Sequence, residues 1–142
     1  MTGKQESSVI YSFKGKWLEP LRNGKVRIFF RKRFPRVTPQ RVYFYVGSPT
    51  SAVIGWATVS DMKRIASNAA LSMTADGAIN AKELEEYLLN TDSVGVFMLS
   101  QQHLFKNPLT ISDLRSVFNF HPPQNFVQIS GDSASKLDEM AQ

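Results

Sequence analysis

The 142-residue chain contains no cysteine. That removes disulfides, thiolate metal ligands and thiol nucleophiles together, and it fits a reducing compartment, so a cytoplasmic protein is expected. No stretch approaches the roughly 18 consecutive apolar residues of a membrane span, and the leading MTGKQESS lacks the apolar centre of a signal peptide. Histidine is scarce. His103 and His121 fall in different segments, neither with a helical i+4 partner, so no zinc site and no cofactor is expected, although a ribonuclease using both as acid and base stays open. Acid is missing where its absence matters most: from Lys25 to Arg41 there is no aspartate or glutamate.

Cations fill that gap. Lys25, Arg27, Arg31, Lys32, Arg33, Arg36 and Arg41, with Arg22 just ahead, surround Val26, Ile28, Phe29, Phe30 and Phe34. A segment this apolar is not a solvated tail, so its charges belong on folded structure where a polyanion can meet them. Residues 1–41 carry eleven lysines and arginines against Glu6 and Glu19, a balance of +9, whereas the remainder carries six against ten acids, a balance of −4. Such asymmetry favours a surface for nucleic acid. A basic strand edge that discourages aggregation, or a module for an acidic protein partner, accounts for the same charges.

The length suits one domain. A flexible N-terminus is expected over residues 1–8 and a flexible acidic tail over 131–142, leaving 9–130 as the folded unit. Short strands are read at Val9 to Phe13, Lys25 to Arg31, Val94 to Leu99, Gln102 to Asn107 and Phe126 to Ile129, with a hairpin of Arg41 to Val46 and Ala52 to Val59. Gly55 marks a bulge or a close backbone approach. Helices are read at Lys16 to Arg22, Ser60 to Leu71, Ala81 to Leu89, where Asn80 and Glu83 form a cap, and Ser112 to Val117. The period-two pattern of the basic strand sends Val26, Ile28 and Phe30 to the core and leaves Lys25, Arg27, Phe29 and Arg31 as a reading face, unless a neighbouring helix covers Phe29. Six or seven short strands with three or four short helices, without regular alternation, imply an α+β small mixed barrel.

Other candidates are weaker. Ser72 to Glu83 resembles a partial calcium loop, with Thr74, Asp76, Gly77 and Glu83 in position, but serine replaces the first ligand and only two carboxylates remain. The acids Glu83, Glu85 and Glu86 read as a solvated helix face. Trp17, Trp56, Tyr43 and Tyr45 are candidate stacking platforms, with core burial the alternative. Ser48, directly after a strand, is positioned to meet a base edge.

Four separated pieces resemble the ASCH domain, of the PUA-like group of small β-barrels. They are Ser12-Phe13-Lys14; Asn23-Gly24-Lys25 leading to Phe30-Arg31-Lys32-Arg33; Tyr45-Val46-Gly47-Ser48-Pro49 followed by Ala52-Val53-Ile54-Gly55; and Pro122-Pro123-Gln124-Asn125-Phe126. Their order and spacing span residues 9 to 130. The resemblance implies an incomplete, helix-decorated barrel with a cleft for RNA or a modified nucleoside. In an RNA-binding domain of this architecture Lys14, Arg27, Arg31, Lys32, Arg33 and Arg36 are expected to hold phosphates, an aromatic and the Ser48 turn to shape the pocket, and Lys16, Lys25 and Phe29 to join the nucleic-acid-binding set. Some members resemble acetylcytidine amidohydrolases, whose strand carries a lysine and a threonine. With Gly24 and Arg31 matched, these positions fall on Val26 and Phe29, which offer no amine and no hydroxyl, and a shift of one residue recovers Lys25 but puts Ile28 in place of the threonine. The resemblance therefore favours an RNA reader, with a metal-independent ribonuclease or a rearranged nucleoside hydrolase as the enzymatic alternative.

Overall fold

The computed structural model describes residues 7–142. Most of the expected flexible N-terminus therefore lies outside the described residues, while Ser7 and Ser8 already belong to the first strand. The elements are β1 (Ser7–Phe13), α1 (Leu18–Arg22), β2 (Ile28–Arg31), β3 (Arg41–Val46), β4 (Ala52–Ala66), α2 (Ser67–Ala70), α3 (Thr74–Gly77), α4 (Ala81–Tyr87), β5 (Ser93–Thr110), α5 (Ile111–Arg115), β6 (Phe126–Ser130) and α6 (Gly131–Met140). The strands form one sheet in the order β2-β5-β4-β3-β1-β6, in which only β1 and β3 run parallel. The sheet curls into a barrel-like α+β fold but does not close, so β2 and β6 remain edges.

Both faces of the sheet are covered. On one face Val9, Tyr11 and Phe13 of β1 meet Val42, Phe44 and Val46 of β3, together with Phe29 and Phe97, inside the curl. On the other, Ile10, Tyr43 and Tyr45 pack beneath Leu114 of α5 and Ala134 and Leu137 of α6. A third layer sets Ile28 and Phe30 of β2 against Ala70 and Leu84 of the α2–α4 segment. Tyr43 and Tyr45 are thus buried side chains and not stacking platforms.

Three sequence expectations need correction. Residues 60–66 continue β4, pairing from Asp61 with Met98 to Ala66 with Ser93, so the helix expected from Ser60 begins only at Ser67. Met62 and Ile65 are three apart, which suits a helix face, yet it also places them on opposite sides of a strand. Met62 enters the curl and Ile65 meets the third layer, and the cross-strand ladder decides between the two readings. The two strands read at 94–99 and 102–107 are one bulged strand, β5, with Gly55 at one irregularity. A Cβ on Gly55 would overlap the His103 carbonyl oxygen and lie 3.0 Å from Leu104 Cα.

The supposed flexible tail is the third correction. It forms α6, capped where the Ser130 hydroxyl accepts from the Ser133 amide, with Leu137 and Ala141 buried. Its composition is polar, but its apolar residues recur three to four apart and complete the layer under β3. An ion pair joins it to the sheet: Arg41 Nη1 donates to Asp138 at 2.8 Å and the Tyr43 hydroxyl donates to the other carboxylate oxygen at 2.9 Å.

Candidate nucleic-acid interface

Where the sheet fails to close, a cavity of about 900 Å³ opens between β1 and β2. Ser12 and Phe13 from the end of β1 form one wall and Phe29, Phe30 and Arg31 of β2 another. The turn Lys14 to Trp17, the β3–β4 turn at Gly47 and Ser48, the α4 residues Glu83, Glu86 and Tyr87, and Gln124 and Asn125 ahead of β6 complete the lining. Local chain chemistry assembles it. Gly15 lies so close over the Ser48 carbonyl that any Cβ would overlap it, which brings Lys14 and Lys16 beside that turn, and the Gly47 amide donates to the Phe13 carbonyl at 2.8 Å. Ser12 fastens the opposite side, its hydroxyl donating to the Pro123 carbonyl at 2.6 Å.

Arg31 spans the open seam. Its Nη1 donates to the Phe30 carbonyl at 2.8 Å and its Nη2 to the Ser12 carbonyl at 3.1 Å. The guanidinium carbon stands 4.6 Å from the Phe13 ring centre, 5.1 Å from that of Phe29 and 5.4 Å from that of Tyr11. Among the described residues no carboxylate pairs with it. Burial lowers its pKa from the ordinary arginine value, opposed by the phenols of Tyr87 and Tyr11, but the group stays cationic. Five N–H donors on a planar fork, only two of them engaged by these bonds, leave capacity for an acceptor on a ligand.

The aromatic surroundings are closely packed. Phe29 stacks flat on Phe97, centroids 4.5 Å apart and planes 1° from parallel, and Tyr11 meets both edge-on. The Tyr11 hydroxyl donates to the Arg33 carbonyl at 2.8 Å, and burial pushes its pKa up, with Arg31 acting in the opposite direction. Phe29 is therefore core: it borders the cavity but is only 4 % exposed, so it is not a free stacking platform. The misreading has a physical source. β2 starts at Ile28, so Lys25 and Arg27 precede the strand, and the four strand residues have apolar material on both sides.

The structure brings Lys14, Lys16, Phe29, Arg31 and Ser48 to the cavity. Lys25 and Arg27 before β2, and Lys32, Arg33 and Arg36 after it, are exposed and stand outside the lining. They extend the basic surface at both ends of the strand. Arg64 adds to it, its guanidinium 4.9 Å from the Phe34 ring centre. That contribution was illegible while residues 60–71 read as a helix.

Two further residues of the site, Glu83 and Tyr87, were missed by sequence reading. Glu83 is not part of a purely solvated face: it pairs with Lys16, and that hydrogen bond lowers its pKa below the usual glutamate value. The Tyr87 hydroxyl accepts from the Lys32 amide at 3.0 Å, with Lys32 Nζ 4.9 Å from the ring centre. Their i, i+4 spacing, which puts an acid and an aromatic on one helix face, was the available signal. The partial calcium loop is replaced by the short helix α3 and the Asn80 cap, and Trp56, His103 and His121 lie outside this cavity. Trp17 lines it, half-buried. Val26 and Phe29 both turn hydrocarbon toward it.

No family model and no curated protein matches the sequence. Solved structures do match the fold. The crystal structure of ASCH from Zymomonas mobilis superposes at TM-score 0.87 with 21% identity, covering 95% of this chain and 96% of that one. A mutant form of the same protein gives 0.86 at 20% identity, covering 95% and 99%. The N-terminal domain of McrB from Staphylothermus marinus is more distant, at TM-score 0.55 and 12% identity over 93% of each chain. The chain has the fold of an ASCH domain.

Proposed function

We propose that this ASCH-fold chain is an RNA-binding domain that draws an unpaired or modified base into the cavity at the open seam and holds the flanking phosphates on its basic rim. The observation that carries the reading is Arg31: a cation set among three aromatic rings, bordering the cavity, with donors to spare and no carboxylate partner among the described residues. A cation desolvated in this way favours an anionic or electron-rich ligand group over water. Lys14 and Lys16 take the phosphate nearest the cavity, Ser48 meets a base edge, and Trp17 and Tyr87 offer ring surface. Lys25, Arg27, Lys32, Arg33 and Arg36 hold the strand as it leaves. The hydrocarbon of Val26 and Phe29 supports a reader over amidohydrolase chemistry, and membership of the ASCH group itself belongs to this proposal. No helix among the described residues is long and apolar enough to cross a membrane.

Binding of labelled single-stranded and hairpin RNAs across a salt series tests the reading. Affinity should fall as salt rises, with a slope of about −0.7 per phosphate held on a single strand. Absence of binding, or affinity indifferent to salt, overturns it. Heparin binding as tightly as RNA points to an acidic protein partner, and cleavage of the RNA in chelator to a metal-independent nuclease.

A further inference from the structure

The cavity carries an internal contradiction if it takes phosphate: a carboxylate already occupies one of the lysines that would hold it. Lys16, on the turn after β1, pairs with Glu83 on α4, and both side chains line the cavity. The other Glu83 oxygen accepts from Asn80 Nδ2 at 3.1 Å, and its amide donates to Asn80 Oδ1 at 2.7 Å. The carboxylate is thus held from the N-cap side as well as by Lys16. Neighbouring Leu84 is fully buried in the third layer, which anchors α4 as a body. What is free to rearrange is the pair itself, its lysine side chain 58% exposed and its glutamate 37%.

We infer that Glu83 is a specificity-determining residue that competes with ligand phosphate for Lys16. Resting on the RNA reading above, this means that phosphate enters the mouth by exchange. The Lys16 ammonium leaves Glu83 for a phosphate oxygen, while Asn80 retains the carboxylate. Phosphate affinity is thereby held down, so a ligand must also satisfy the Arg31 and aromatic part of the site to bind. Polyanions that offer charge alone gain least.

The test uses a fluorescein-labelled random-sequence RNA pentanucleotide, with anisotropy read at pH 7 and low salt, and thermal melts to confirm folding. Glu83→Gln keeps the size and the Asn80 contact, and should tighten binding about two- to fivefold, the scale of a surface ion pair. Lys16→Met should weaken binding, and in that background Glu83→Gln should lose most of its gain. Glu86→Gln, which removes a cavity carboxylate that pairs with no lysine among the described residues, should change affinity less. Unchanged or weaker binding by Glu83→Gln overturns the exchange, as does an equal gain from Glu86→Gln, which would mark a diffuse field effect. If neither wild type nor Glu83→Gln binds the pentamer, the RNA reading itself falls, and this inference with it.

Discussion

Arg31 shows how little a residue's type says about its use. Among the many basic residues of the first 41 positions it looks ordinary, yet among the described residues it alone is drawn over three rings and ties β2 to the Ser12 carbonyl across the open seam. Methionine preserves much of the packing while deleting the charge and the donors. Arg31→Met should remain folded by circular dichroism and lose RNA affinity about tenfold or more, as expected for a desolvated charge-assisted contact. Glu83 makes a second residue-scale prediction. Its pKa is depressed from 4.5 chiefly by Lys16, so the stabilisation from the pair is present above the unfolded value and is lost as pH falls through the lower folded value. An NMR carboxylate titration should place Glu83 below 4.5, and Lys16→Met should move it back up.

At the scale of elements, α6 is the clearest case of packing overriding composition. Residues 131–142 hold Asp132, Asp138 and Glu139 against Lys136, which reads as a polar tail, but Ala134, Leu137 and Ala141 close the layer beneath Ile10, Tyr43 and Phe105. Leu137→Ala should therefore destabilise the protein by about 2–5 kcal/mol in urea unfolding, the range for a buried leucine, whereas a mobile tail would show almost none. The hairpin of β3 and β4, the bulge at Gly55 and the Asn80 cap were legible because turn residues, glycine placement and capping act within a few positions. The length of β4 was not. A spacing of three between Val59, Met62 and Ile65 serves a helix or a strand covered on both faces, and only the pairing with β5 resolves it.

For the whole molecule, the site exists because the barrel is incomplete. Edge strands β2 and β6, with β1 beside the latter, leave a gap that a closed sheet would fill with ladder hydrogen bonds, and the gap is lined by side chains from both ends of the chain. Charge is sorted by this geometry into a cavity set and an outer set. Lys25→Met with Arg27→Met should weaken a ten-nucleotide RNA and lower its salt slope by about 1.4, while leaving a single nucleotide unaffected. Loss of single-nucleotide binding in that variant would place Lys25 or Arg27 inside the site instead. The His103, Trp56 and Arg41 cluster lies elsewhere, Arg41 resting 3.7 Å from the Trp56 ring centre and engaged with Asp138 from α6. Its contacts serve to hold α6.

Composition, alternation and turn chemistry were enough to establish an α+β barrel with a basic first third, the β3–β4 hairpin and the candidate cations, because these depend on neighbours in the chain. Which cations reach the cavity, and that Phe29 belongs to the core, depended on sheet closure. A period-two pattern names two faces, but what covers Phe29 comes from other strands, Tyr11 and Phe13 of β1 and Phe97 of β5. Glu83 and Lys16 are 67 positions apart and meet only because α4 is carried back across the end of β1.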